Sequence, residues 1–456
     1  EWIGLAGGED AAARERSLLA LAGQFGSVGL RPALPQDAVR RPPLPRLAAP
    51  AVPEGLRPVL RSALAVTAVP AAVIRMVARR GFVVHPADWF PDAAQPGTPE
   101  VYRPWLTWLS GAPRTPGPSP EVPDADAWRL MGGAEQVAEM KRLRAEEPAQ
   151  AVEVMAGLFK QLPAVRRQAL LEVLAEGLGE ADAEFLSGLE QDRSAPVRER
   201  ARAFLARLGS SGTADSEEAR ELAEFFNVTV KRGLRRRTVV ATAPAASAAA
   251  ARRRDRLFEA VTLPQLASAL GLEPDALIEA WAGEPRKGVS AEDAVAAARG
   301  VAELVAASGS DSQAEALASK LVAAKEPAAA AALFNRVGRA TQARIAAAGA
   351  GGDRDPAVLE PMARAADADL LGPGHLGPVL RGRWLAEGLA LGAAEAAAEH
   401  RGRYATALAT LMTGDAAHDL LANLEAQGVP RATPGVAALV LNTDLCDAAR
   451  ASQDHK

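Results

Sequence analysis

Five histidines and one cysteine are the residues of this chain best suited to metal or nucleophilic chemistry, and their spacing assembles none of it. His85, His375, His400, His418 and His455 stand apart, no two within one helical turn, and neither HExxH nor CxxC occurs. A phosphate-cradling Walker loop, a strand followed by GxGxxG and a GxSxG nucleophile elbow are also missing. The sequence therefore offers no catalytic, cofactor-binding or metal-binding residue, and the expectation is a non-catalytic protein without a cofactor. His418 with Asp415 and Asp419 reads as the polar side of a surface helix, capped by Asp415. Asp353, Asp355, Asp367 and Asp369 gather enough acid to hold a divalent ion but lack the pattern of a calcium loop. Gly372-Pro373-Gly374-His375-Leu376-Gly377 reads as a turn. An enzymatic reading would need His85, Asp88 and Trp89 to meet at a concave pocket.

Charge is more informative. The chain carries a formal net charge of −4, which disfavours general binding to nucleic acid or a membrane surface. Against that background Lys231-Arg232-Gly233-Leu234-Arg235-Arg236-Arg237 packs five cations into seven residues, and Arg252-Arg253-Arg254 follows. Phe226, Val228 and Val230 alternate with polar residues, as do Thr238, Val240 and Thr242, so the basic run is the tip of a β-hairpin. Such a tip could grip nucleic-acid phosphates or the acidic face of a protein partner, or its arginines could pair with glutamates of neighbouring helices. Lys231, Arg232, Arg235, Arg236, Arg237 and Arg198 are the candidate partner-binding residues. Trp89, Phe90, Trp105 and Trp108 could stack on a ligand, although such a cluster more often forms the small core of a loop-rich region.

The scaffold that positions these residues is read from one echo. Val165-Arg166-Arg167-Gln168-Ala169 returns 32 residues later as Val197-Arg198-Glu199-Arg200-Ala201, each time behind a proline, Pro163 or Pro196. Self-similarity at that interval marks paired helices stacked in an array. In the second copy Ser194 is placed as the N-cap with Pro196 in the first turn. Val197, Ala201, Phe204, Leu205 and Leu208 then share one face. The fold expected is all-α: a HEAT-like α-solenoid of stacked helix pairs with one short β-hairpin inserted near the middle.

Glu184-Phe185-Leu186 with Asp192-Arg193-Ser194 and Val197-Arg198 resembles a HEAT-type repeat unit. The wider stretch runs from Trp128 through Arg142-Leu143-Arg144-Ala145-Glu146-Glu147-Pro148 to Gly209-Ser210-Ser211. It resembles a bacterial family described only as a domain of unknown function. Members of that family are commonly encoded beside a MoxR-type AAA+ ATPase, a von Willebrand A-domain protein and a SWIM zinc-finger protein. The resemblance implies protein partners of those kinds and no particular reaction.

Composition agrees with a helical protein. Hydrophobic residues make up 48% and aromatics only 4%, so the cores must be built from Ala, Leu and Val on closely approaching helices. Pro- and Gly-rich or polar breaks suggest five regions. They are an N-terminal helical region with a Pro-rich connector and the aromatic patch (1–124), a HEAT-like core (125–212), the basic hairpin with an Ala-rich tether (213–256), a second helical array (257–350) and a C-terminal helical region (351–456). Within them Leu56–Arg80 reads as two helices broken near Pro70, and Ala328–Ala348 as one helix. Cys446 alone excludes an internal disulfide framework, no apolar run is long enough to cross a membrane, and no secretory signal is visible. The expected location is the cytoplasm.

Overall fold

The computed structural model describes residues 42–92, 98–110, 128, 131–210, 216–231, 237–281, 290–352, 354–380, 382–390 and 392–454, with most of 11–20. The chain divides into two compact units, 1–45 and 46–456. In the first, the described residues of 11–20 are helical. Among its described residues the second is mainly α-helical with one short antiparallel hairpin.

Proline sets the opening of this second unit. Pro70 lies in the first turn of a helix, where its missing N–H costs nothing, so 56–80 splits into α1 (Arg57–Val66) and α2 (Pro70–Arg79). α2 buries Ala72, Val73, Ile74, Met76 and Val77. The aromatic patch precedes and enters α3 (Arg103–Ser110). Phe90 stacks on Trp105 at 5.2 Å, Trp89 meets Tyr102 edge-on at 5.0 Å, and Tyr102 and Trp105 are buried. These rings form a core. The Tyr102 hydroxyl accepts from the Val84 amide at 2.8 Å, and burial pushes its phenol up to about 12.

The echo region comprises α4 (Gly133–Glu146), α5 (Pro148–Phe159), α6 (Ala164–Leu171), α7 (Ala183–Gly188) and α8 (Ala195–Arg207). Trp128, Met140, Met155, Leu170, Leu174, Leu186 and Phe204 meet in one core. Two buried ion pairs tie the turns to the helices. Arg144 grips Asp182 with Nη1 at 2.8 Å and Nη2 at 2.5 Å, and Arg167 reaches Asp192 at 2.8 Å. The cap differs from expectation. Ser194 occupies the N-cap of α8, yet its side chain makes no capping bond; its amide instead donates to Asp192 Oδ1 at 2.7 Å.

Next come α9 (Glu217–Ala223), β1 (Phe226–Lys231), β2 (Arg237–Thr242), α10 (Ala248–Ala260), α11 (Leu263–Ala269), α12 (Pro274–Ala280), α13 (Ala291–Ser308), α14 (Asp311–Ala323), α15 (Pro327–Ala330) and α16 (Arg339–Gly351). Serines at 216, 247, 290 and 310 accept from backbone amides at the starts of α9, α10, α13 and α14. α13 packs on α8 and on α10, where Gly300 gives way to the Phe258 ring; a Cβ there would come within 2.3 Å of it. The single helix expected over 328–348 is broken. A 3-10 stretch at Ala331–Arg336 leads to an extended Val337 and then Gly338, which begins α16.

The last helices are α17 (Pro356–Ala365), α18 (Gly377–Leu380), α19 (Trp384–Leu389), α20 (Glu395–Leu411), α21 (Gly414–Ala426) and α22 (Ala437–Asp454). They do not stack only on their sequence neighbours. α1 packs on α22, and α2 packs on α17, α20 and α22, so the two ends of this unit meet. A polar joint seals the contact. Asp369 receives Arg79 at 3.0 Å and Arg80 at 2.6 Å, while Arg80 also donates to Asn442 Oδ1 at 2.8 Å and the Met412 carbonyl at 2.9 Å.

Candidate partner-binding surface

The hairpin is anchored at one end. Phe226 pairs with Thr242, is buried, and meets Phe258 edge-on at 6.2 Å. Val240 is fully buried and bridges Trp281, while α12 packs along β2. Phe226, Val228 and Val230 share a face by the two-residue period of a strand, but their exposure climbs from 7% to 40% and 42%. The ribbon therefore leaves the helical body along its length. It carries two bare valines towards its far end, where Lys231 pairs with Arg237 in the ladder. Arg232, Arg235 and Arg236 lie outside the described residues, as do the side chains of Lys231 and Arg237.

The second basic cluster is largely used by the fold. Arg253 forks onto Glu221 at 2.9 and 2.6 Å and holds that carboxyl below its usual range. Arg254 is buried between Asp255 and Asp293, each at 3.0 Å. Arg198 is partly committed too, donating to the Asp192 carbonyl at 2.7 Å. Further along α8, Arg200 and Arg207 flank the Phe204 ring at 4.4 and 5.4 Å. Burial, reinforced by the neighbouring Arg336 cation, lowers Arg207 to about 10, and its Nε is buried without an acceptor. Arg198 and the hairpin thus sit on different elements. α8 rests on α13, the hairpin on α9 and α12.

The remaining polar groups singled out in the sequence fall into structural contacts. Asp88 accepts from Arg57 at 2.6 Å and is held below the ordinary carboxylate range by that bond. Asp369 belongs to the joint described above, and Asp355 caps α17. His375 Nδ1 accepts from the Gly372 amide at 3.1 Å within the expected turn. Asp415 is not the cap of α21; Thr413 accepts from Ala416, and Asp415 pairs with Arg450 at 2.6 Å. His418, Asp415, Asp419, Cys446 and Arg450 line an open cleft of about 220 Å³, where burial pushes the Cys446 thiol up. Among the described residues no three His, Cys, Asp or Glu side chains are grouped to hold a metal. No described helix is long and apolar enough to cross a membrane.

Three arginines escaped the sequence reading: Arg207, Arg354 and Arg401. Arg354 and Arg401 meet Trp384 from 30 and 17 residues away, and Arg207, beside Phe204 of its own helix, also takes its electrostatic setting from distant Arg336, so local spacing does not signal them.

The chain belongs to a family of unknown function (DUF5691). That family's model matches residues 5–453, nearly the whole chain and far beyond the stretch 128–211 that carries the HEAT-type resemblance. No curated protein and no solved structure matches it significantly.

Proposed function

We propose that this DUF5691 protein is a non-catalytic scaffold or adaptor that docks protein partners, with the hairpin as its contact arm. The observation that supports this is the gradient along one strand face, buried at Phe226 and bare at Val228 and Val230, leading to a cationic tip. An apolar ribbon ending in five cations suits a partner surface that pairs an apolar strip with acidic residues. The AAA+ ATPase, A-domain and zinc-finger proteins implied by the family resemblance are the first partners to try, and a cytoplasmic setting goes with them. The second reading is a nucleic-acid-binding arm, favoured by the same run of arginines.

One experiment separates the two. The purified full chain and a variant with Arg235, Arg236 and Arg237 replaced by glutamine are used at low salt as bait, with and without nuclease. Retention of the ATPase or A-domain protein by the parent, insensitive to nuclease and lost in the variant, supports the adaptor. Retention that disappears with nuclease, with steep salt dependence, replaces it with the nucleic-acid reading.

A further inference from the structure

We propose that β1 is a dimerisation edge, taking the β1 strand of a second copy of this chain in antiparallel register about Val228. The inference goes beyond the adaptor reading, since it uses the edge of the strand and needs no other protein.

The ladder decides which backbone groups face outward. The Ala243 amide donates to the Phe225 carbonyl at 2.8 Å, and the register continues through Phe226↔Thr242 and Asn227↔Ala241 to Lys231↔Arg237. In an antiparallel pair, hydrogen-bonded and non-bonded residues alternate. Asn227, Thr229 and Lys231 therefore turn their amides and carbonyls towards β2, while Phe226, Val228 and Val230 turn theirs away from it. The same alternation turns Val240 outward on β2, and there Trp281 bridges it. The edge of β1 has no such cover. Among the described residues, the outward groups of Phe226, Val228 and Val230 have no hydrogen-bond partner.

Open edges are normally defended by proline, lysine, a bulge or an inward charge. Residues 226–230 hold none of these. They read Phe-Asn-Val-Thr-Val in an unbroken register, with Val228 and Val230 exposed. A regular, uncharged edge beside a bare apolar face is a template for another strand.

The strand is its own complement. A twofold axis at Val228 sets Val228 against Val228 and Phe226 against Val230 in both directions, so every outward residue of β1 exchanges both its bonds with the second copy. The side chains of these residues then meet on one face, and the two hairpins form one continuous sheet with a wider apolar strip. Charge fixes the direction. The cations of 231–237 begin where β1 ends, and the exposed Glu217, Glu218 and Glu224 precede it. Antiparallel pairing directs the cationic end of each copy to the acidic end of the other, whereas parallel pairing sets both cationic runs side by side. A second copy thus carries both halves of the pattern that this edge requires.

The test is sedimentation velocity of the full chain over a concentration series. Val228→Lys, Val228→Glu, an equimolar mixture of the two, and Val228→Pro are run alongside. The parent is expected to dimerise. Two lysines or two glutamates would stand opposite each other across the axis, so each of those variants is expected to be monomeric where the parent is dimeric. Their mixture is expected to recover the dimer, because lysine then faces glutamate; a misfolded hairpin would not be rescued in this way. Val228→Pro deletes an outward N–H in each copy and spares the inward ladder, and should weaken association about thirtyfold. The assignment is overturned if the parent stays monomeric at every concentration, if either charged variant or the proline variant associates as the parent does, or if the mixture fails to recover the dimer.

Discussion

α6 and α8 begin with related words and bury different letters. Val197 is fully buried, whereas Val165, its counterpart in the 32-residue echo, is 80% exposed. The inward positions of the first copy are Arg167, Leu171 and Leu174; those of the second are Val197, Ala201 and Phe204, an interval of 30 residues. Geometry explains the slip. At 3.6 residues per turn, Val165 lies about 160° from the buried Arg167 around α6, while Val197 lies within about 20° of Phe204 around α8. Leu170, Leu171 and Leu174 are the largest apolar side chains of their segment, and burying them decides the face. Arg167 is carried inward by that choice. It survives because Nη1 donates to the Leu162 carbonyl at 2.7 Å and Nη2 to Asp192, though its Nε finds no acceptor.

This contrast can be broken in order of expected effect, each variant read as the shift of the urea unfolding transition. Asp192→Ala strips the buried Arg167 of its counter-charge and frees the turn that Asp192 ties to Ser194, so the loss should be largest, about 3–5 kcal/mol. Val197→Ala opens a cavity under α8 and should cost about 2 kcal/mol. Arg167→Met replaces a half-satisfied buried cation by a side chain of similar length. If the position is an apolar one that happens to hold arginine, stability should stay within about 1 kcal/mol of the parent or rise. A loss as large as that of Asp192→Ala would show instead that the pair holds the turn. Val165→Ala should shift stability by less than about 0.5 kcal/mol. A Val165 effect equal to that of Val197 would restore the 32-residue register and refute the shifted one.

Much of the fold was legible because its signals are local. Pro70 split its helix, and the alternation from Phe226 to Thr242 marked both strands. The shared face of Val197, Ala201, Phe204 and Leu205 was also readable from spacing. Caps were less so: Asp192 accepts from the amide of Ser194 itself, Thr413 rather than Asp415 caps α21, and only the folded backbone shows which oxygen reaches which amide. The candidate contact arm was legible as a hairpin, but not the gradient of exposure along it, which depends on where Phe258 and Trp281 lie. The fate of Arg253 and Arg254 was equally hidden, because their partners Glu221 and Asp293 are more than thirty residues away.

By itself the sequence determined the helical class, the single hairpin and the concentration of cations at its tip, because propensity, proline placement and two-residue alternation act within a few residues. Tertiary structure alone decided that α2 closes onto α20 and α22 through Arg80, Asp369 and Asn442. It alone placed Arg354 and Arg401 on one indole. Which distant groups meet is set by how whole helix faces are buried together, a cooperative choice to which no single stretch of chain holds the key.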